Sequence, residues 1–391
     1  MTAFLQLSVC SYRAYSVMLL LLLASSAWAQ DRAQLPARTE DGFAVPQFGH
    51  KFSFPKDHGS HPEFKIEWWY ITGHLFTDDA RRFGFQATFF RRSGPKSTVE
   101  GGSSTNNFGH GQIYLAHMAL LDVKSGRFIH QERLNREGWD AAAEVGRLNV
   151  RNGNWSLVMT NEATQTMELK GSVLGEASFH LSLRPSKPLV VFGENSVSRK
   201  AADPTAASYY LTYPRLETSG ELKLVGEKMA VKGQAWMDHE ISSSQLAGDQ
   251  IGWDWASIQL NDGREIMAYR MRRKDSSTDP YSTLAWVDAK GAVTHVAANQ
   301  FQWQGVDKWK SPLTGAEYPV ESRLSVRDPQ SGKEMILHLV PLVKAQELKG
   351  GLGGVAYWEG ASRVMDEQKR EIGSAFVELT GYAGNLSDRF R

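Results

Sequence analysis

Along most of the chain, apolar and polar residues alternate with the strand period of two, in short runs closed by Gly, Asn, Asp or Pro. The first strong run, residues 66–76 (IEWWYITGHLF), puts Trp68, Tyr70, Thr72 and His74 on one face and Glu67, Trp69, Ile71 and Leu75 on the other. With aromatic residues on both faces neither side is plainly solvated, so this strand is expected in the wall of a filled barrel or between two domains. A polar turn at 77–82 returns the chain into a strand at 83–91. Alternating runs follow at 113–123, 128–134, 146–150, 155–161, 167–173 and 178–184, and again at 208–216 after an irregular stretch at 187–207. His117 and His180 fall inside such runs and read as wall residues. Few windows have a helical period, so the pattern predicts an all-β chain of evenly spaced antiparallel strands, a barrel or sandwich, with short and few helices. Residues 93–112 form a Gly/Ser/Asn-rich loop of a length often used as a lid or binding loop.

The densest chemistry lies at residues 233–272 (GQAWMDHEISSSQLAGDQIGWDWASIQLNDGREIMAYRMR). An acid, an imidazole and a second acid (Asp238, His239, Glu240) sit beside Trp236, Trp253 and Trp255, a grouping suited to acid-base work on an apolar substrate. Residues 253–260 alternate and end at Asn261-Asp262-Gly263, a hairpin signal. Counting outward from a two-residue Asp262-Gly263 loop puts Leu260 opposite Glu265 and Arg270 opposite Trp255, where the guanidinium would stack on the indole, with Tyr269 on the other face. In the closing strands Tyr357 and Glu359 share one face, and Phe376, Glu378, Thr380 and Tyr382 share another. Glu378 reads as an exposed glutamate on a half-wet strand. A metal is not expected, because neighbouring residues of an extended chain point to opposite faces and zinc sites need further ligands at separated positions. His58 and His61 read as parts of a turn.

The amino-terminal pattern changes where the protein is expected to work. Arg13, an apolar run at 17–23 and Ala27-Trp28-Ala29 have the form of a secretory signal cleaved after Ala29, which predicts a periplasmic or secreted protein. No later window offers ~18 apolar residues, so no transmembrane segment is expected in the mature chain. The single cysteine, Cys10, lies in the signal, leaving the mature fold to its core. A formal net charge of +1 with acids and bases mixed throughout gives no basic stripe for nucleic acid and no polybasic segment for a membrane. The expected organisation is a signal at 1–29, an extended lead-in at 30–44, and two β domains at 45–230 and 231–391.

The segments EWWYITGHL, YYLTYPRL, GQAWMDHEISSSQL, GWDWASIQLNDGREIMAYRMR, AYWEG and FVELTGY, in that order, resemble the family that joins bacterial AttH-like secreted proteins with carotenoid 1,2-hydratases. The resemblance implies two lipocalin-like β domains packed together and, from the hydratases, cofactor-free addition of water to an isoprenoid double bond. His239 falls on the histidine that follows Asp in the hydratase motif, and Trp253 and Tyr269 fall in its aromatic block. Glu240 and Met271 depart from it, the first replacing a polar amide and the second standing where an acid is expected after the tyrosine. On this basis Asp238, His239, Tyr269 and Glu359 are the expected catalytic residues, and Trp68, Tyr70, Trp236, Trp253, Trp255, Arg270 and Tyr357 the expected ligand-binding ones. Protonating an alkene needs an acid kept neutral by burial, aromatic faces for the cation and a group that holds water; Asp238 or Glu359 would be the acid and His239 would hold the water. The alternative is a non-catalytic carrier of the same hydrophobic ligand.

Overall fold

The computed structural model describes residues 34–96, 111–352, 356–384 and 386. The expected signal, with its cysteine, and most of the 93–112 loop lie outside the described residues. Two antiparallel sheets account for the architecture, and the helical content among the described residues is the 3-10 turns Lys56–His58 and Ala298–Gln300. No helix among them is long and apolar enough to cross a membrane.

The first sheet runs in the order Arg127–Arg136, Gln112–Asp122, Arg82–Ser93, Ile66–Phe76, Glu227–Ser244, Ala207–Leu224, Ala177–Pro185, Thr166–Val173, Trp155–Asn161, Asn149–Asn152 and Ala141–Ala143. It curls until its ends meet through side chains: Asn135 Nδ2 donates to Asn152 Oδ1 at 2.7 Å, and Arg133 donates to the Asn152 carbonyl at 3.1 Å. The second runs Val293–Ala297, Thr283–Val287, Glu265–Arg273, Gln250–Leu260, Glu371–Leu379, Tyr357–Met365, Glu334–Pro341, Glu317–Arg327 and Phe301–Lys310. The chain changes sheet between Ser244 and Gln250. Residues 230 and 231, where a domain boundary was expected, fall inside the strand Glu227–Ser244 and pair there with Glu221 and Gly220 of Ala207–Leu224, while residues 232–242 of the same strand pair with Ile66–Phe76.

Strand alternation sorts the buried side chains into three clusters. Trp69, Ile71, Phe83, Phe85, Phe89, Ala235 and Met237 fill the interior of the first sheet, while Ile258, Ala268, Trp286, Leu324, Trp358 and Val377 fill the second. The opposite faces of the same strands meet in a seam between the sheets, built on Tyr70, Tyr210, Trp236, Trp255, Tyr269 and Phe376. Burying each such large apolar side chain contributes roughly 1.5–3 kcal/mol. The backbones come close here: a Cβ on Gly84 would stand 2.5 Å from Ala361 Cβ on the other sheet.

The hairpin at Asn261-Asp262-Gly263 differs from the expected register by one residue. Gly263 takes φ +85°, Asp262 Oδ1 accepts from Arg264 N at 3.0 Å, and Leu260 N donates to the Arg264 carbonyl at 2.9 Å, which closes a three-residue loop. Tyr269 therefore stands opposite Trp255, and Arg270 opposite Asp254. The expected stacking of Arg270 on Trp255 is overturned: Arg270 turns to the second sheet's interior, where Nε donates to Asp254 Oδ2 at 2.9 Å.

Candidate functional site

A cavity of about 290 Å³ opens in the seam rather than inside either sheet, because both interiors are filled by their own side chains. Trp68, Tyr70, Tyr210, Trp253, Trp255, Tyr269 and Tyr357 wall it, with the half-exposed Ile113 and Leu134 also on its lining. Its size approaches the lower end of small-molecule sites.

Asp238 enters from the first sheet. On the strand Glu227–Ser244, alternation sends Trp236, Asp238 and Glu240 toward the seam and Ala235, Met237 and His239 away from it. Three donors converge on the Asp238 carboxyl: Thr212 Oγ1 at 2.6 Å and Trp236 Nε1 at 2.7 Å reach Oδ1, and Tyr210 Oη reaches Oδ2 at 2.8 Å. Trp255 Nε1 in turn donates to Tyr210 Oη at 2.9 Å. Burial raises the Asp238 pKa to about 7, against the pull of these hydrogen bonds, and the nearby Glu240 charge adds to the rise. Lys200 pairs with Glu240 at 3.2 Å and stands over the rings of Tyr269 at 4.4 Å and Tyr210 at 4.6 Å.

A second carboxyl faces the cavity from the other sheet. Glu378 Oε2 accepts from Trp253 Nε1 at 2.8 Å, and burial lifts its pKa to about 7, with Glu240 contributing. Glu359 stands opposite Glu378 in the ladder and is not on the cavity wall; it accepts from the Tyr70 hydroxyl, and its pKa is pushed well above the usual carboxyl range first by burial, then by the nearby Glu378.

The cavity thus brings together Asp238, Tyr269, Trp68, Tyr70, Trp253, Trp255 and Tyr357 of the expected residues. Trp236 lies behind the wall as a donor to Asp238, and Glu359 behind it as the partner of Tyr70. Arg270 is inside the second sheet. His239 faces the first sheet's interior, stacked on Trp69 with ring centroids 4.8 Å apart, and its Nε2 lies 2.8 Å from Glu67 Oε1. The residues that sequence reasoning missed are Tyr210, Lys200 and Glu378 on the wall. Tyr210 was legible as part of an alternating strand, whereas Lys200 lies in the irregular 187–207 stretch, where no period assigns it a face.

His61, Glu67 and His239 offer ligand atoms within 4.8 Å of one another and are the group best able to hold a metal among the described residues. Glu67 already links the two rings through its carboxylate, while His239 Nδ1 is buried without a partner. Glu67 Oε1 lies 2.9 Å from His61 Nδ1 and 2.8 Å from His239 Nε2, and Oε2 accepts from Arg91 Nε and His61 N, each at 2.9 Å.

A family model described as AttH-like matches residues 45–382. The chain belongs to the AttH-like family. A crystal structure from Nitrosomonas europaea, described as an AttH protein, is 34% identical, covers 87% of this AttH-like chain and 99% of its own, and superposes with a TM-score of 0.76. Kievitone hydratase from Nectria haematococca is 14% identical, with 90% and 98% covered and a TM-score of 0.62. CghA with Sch210972 is 12% identical, with 89% and 98% covered and a TM-score of 0.52. The last two share the fold. No curated protein matches the sequence significantly.

Proposed function

We propose that this AttH-like chain is an exported, cofactor-independent acid-base catalyst that holds a hydrophobic ligand in the seam cavity and adds water to, or shifts, a carbon-carbon double bond. The observation that carries the reading is the pair of buried carboxyl groups, Asp238 and Glu378, both poised at about 7 in one indole-lined cavity. Their surroundings suit opposite roles. Asp238 accepts three hydrogen bonds that favour its carboxylate, so it is the base; Glu378 accepts one from Trp253 and is the acid. Glu378 gives its proton to an alkene carbon, Trp253 and Trp255 face the resulting cation, and water adds to it while Asp238 takes the water's proton. Return of that proton to Glu378 through solvent closes the cycle, and no other co-reactant is consumed. His239 has no part in this scheme.

Within the same reading, the two sheets form two lipocalin-like domains, and the leader read at residues 1–29 directs the chain to the periplasm or outside the cell. The name of kievitone hydratase, a protein of this fold, is compatible with hydration here. The second reading, a carrier, draws on the apolar aromatic wall alone. One experiment separates them: ligand extracted from the purified protein is returned to it in H₂¹⁸O or D₂O, and products are followed by mass spectrometry. Catalysis predicts ¹⁸O or deuterium incorporation that falls ~10²-fold in Glu378→Gln and Asp238→Asn. Recovery of unlabelled, unchanged ligand from the wild-type protein would establish the carrier instead.

A further inference from the structure

One donor beside the cavity has nothing to donate to. His117, on the strand Gln112–Asp122, contributes to the cavity lining, with its ring centroid 5.4 Å from Phe90 and 5.7 Å from Tyr357. Gln86 Nε2 donates to Tyr357 Oη at 2.9 Å, and the same Oη lies 2.7 Å from His117 Nδ1. Gln86 and His117 are the partners of this phenol, and Gln86 Nε2 can only donate, so the Tyr357 proton finds its acceptor at Nδ1. The ring proton of His117 then sits on Nε2, which is buried and has no partner. Burial holds the His117 pKa down at about 4, so the ring stays neutral at ordinary pH.

We infer that His117 is a specificity-determining residue whose Nε2–H receives a neutral oxygen acceptor, a carbonyl or ether oxygen, on an otherwise apolar ligand. This rests on the seam cavity being the ligand site and deepens that reading by naming the ligand class. A hydrocarbon would leave the buried N–H unpaired, and an unpaired buried donor discriminates strongly against the ligand that fails to meet it. A carboxylate is also disfavoured, because the burial that raises the Asp238 and Glu378 pKa values in this cavity opposes any anion placed there.

Matched naphthalenes test this in the full protein, read by quenching of the Trp253 and Trp255 fluorescence. 2-Acetylnaphthalene should bind about tenfold more tightly than 2-ethylnaphthalene, the scale of one recovered hydrogen bond, and more tightly than 2-naphthoate. His117→Leu should erase the difference between ketone and hydrocarbon while hydrocarbon affinity stays within about threefold. If that variant fails to fold, His117→Gln, which keeps an N–H donor, should retain the preference and Tyr357→Phe should diminish it. Equal binding of ketone and hydrocarbon by the wild type, or a preference that survives His117→Leu, overturns the inference and leaves the cavity reading intact. Binding of neither probe removes the cavity reading and this inference with it.

Discussion

Asp238 and Glu378 share an apolar cavity, yet their neighbours pull them toward different charges. Three donors hold Asp238 toward its anion, while Glu378 has the Trp253 indole alone. With both groups near 7, activity needs one ionised and the other protonated, so kcat/KM should follow a narrow bell centred close to neutrality. A profile flat from pH 5 to 9 would show that these carboxyls do not limit the reaction. His239 calls for a different measurement. Its ring stacks on Trp69 and reaches Glu67, whose other oxygen holds the buried Arg91. His239→Ala should therefore lower unfolding free energy by roughly 2–4 kcal/mol, through a cavity and a weakened buried charge network, and leave probe affinity within about threefold. A stable variant that no longer binds probes would put His239 back in the site. The same alternation that was read correctly for Ile66–Phe76 already separates Asp238 from His239; the family motif grouped them because they are adjacent in sequence, and adjacency on a strand means opposite faces.

At the scale of elements, the strands were legible where alternation was long and bounded by turn residues. Ile66–Phe76 and Trp155–Asn161 fall where the pattern put them, and the two faces of the former are the first sheet's interior and the seam. What the pattern could not supply was register. A loop of two or three residues at Asn261-Asp262-Gly263 depends on which backbone groups Gly263 and Asp262 engage, and one residue moves Tyr269 from behind the strand to the cavity beside Trp255. Nor does a single strand reveal its packing partner in another sheet, which is why Glu378 read as solvent-exposed and is instead in the seam. That seam is closely fitted where Gly84 meets Ala361. Gly84→Val should force the sheets apart, with a loss of about 1–3 kcal/mol in denaturant unfolding from overpacking and a widened cavity that binds probes less tightly. An unchanged midpoint would show that the contact is not tight in solution.

For the whole molecule, two sets of buried titratable groups act on stability in opposite directions. Asp238 and Glu378 have pKa values raised to about 7, so the stability they contribute is full below the unfolded carboxyl range and is lost as pH rises toward 7. His58 and His117 are lowered to about 4, and His74, buried in the seam beside Arg82, to about 3; their contribution is present above the unfolded histidine value and is lost as pH falls through the acid range. Burial is the leading cause in every case, so the two slopes are consequences of the same close-packed seam and core. Between about pH 4 and 6.5 the sets oppose each other, so wild-type stability should change less there than either set alone would make it, before declining toward pH 7.5 as the carboxyls ionise. A double Asp238→Asn, Glu378→Gln variant withdraws these two carboxyls and leaves Glu359, whose pKa is also raised by burial, so its thermal midpoint should climb more steeply from pH 4.5 to 6.5 than that of the wild type and decline less toward pH 7.5. Circular dichroism melts of both proteins across that range provide the comparison. Parallel midpoint curves for the two proteins would mean that Asp238 and Glu378 titrate at ordinary carboxyl values in the fold, and the acid-base pair proposed for the cavity would lose its physical basis.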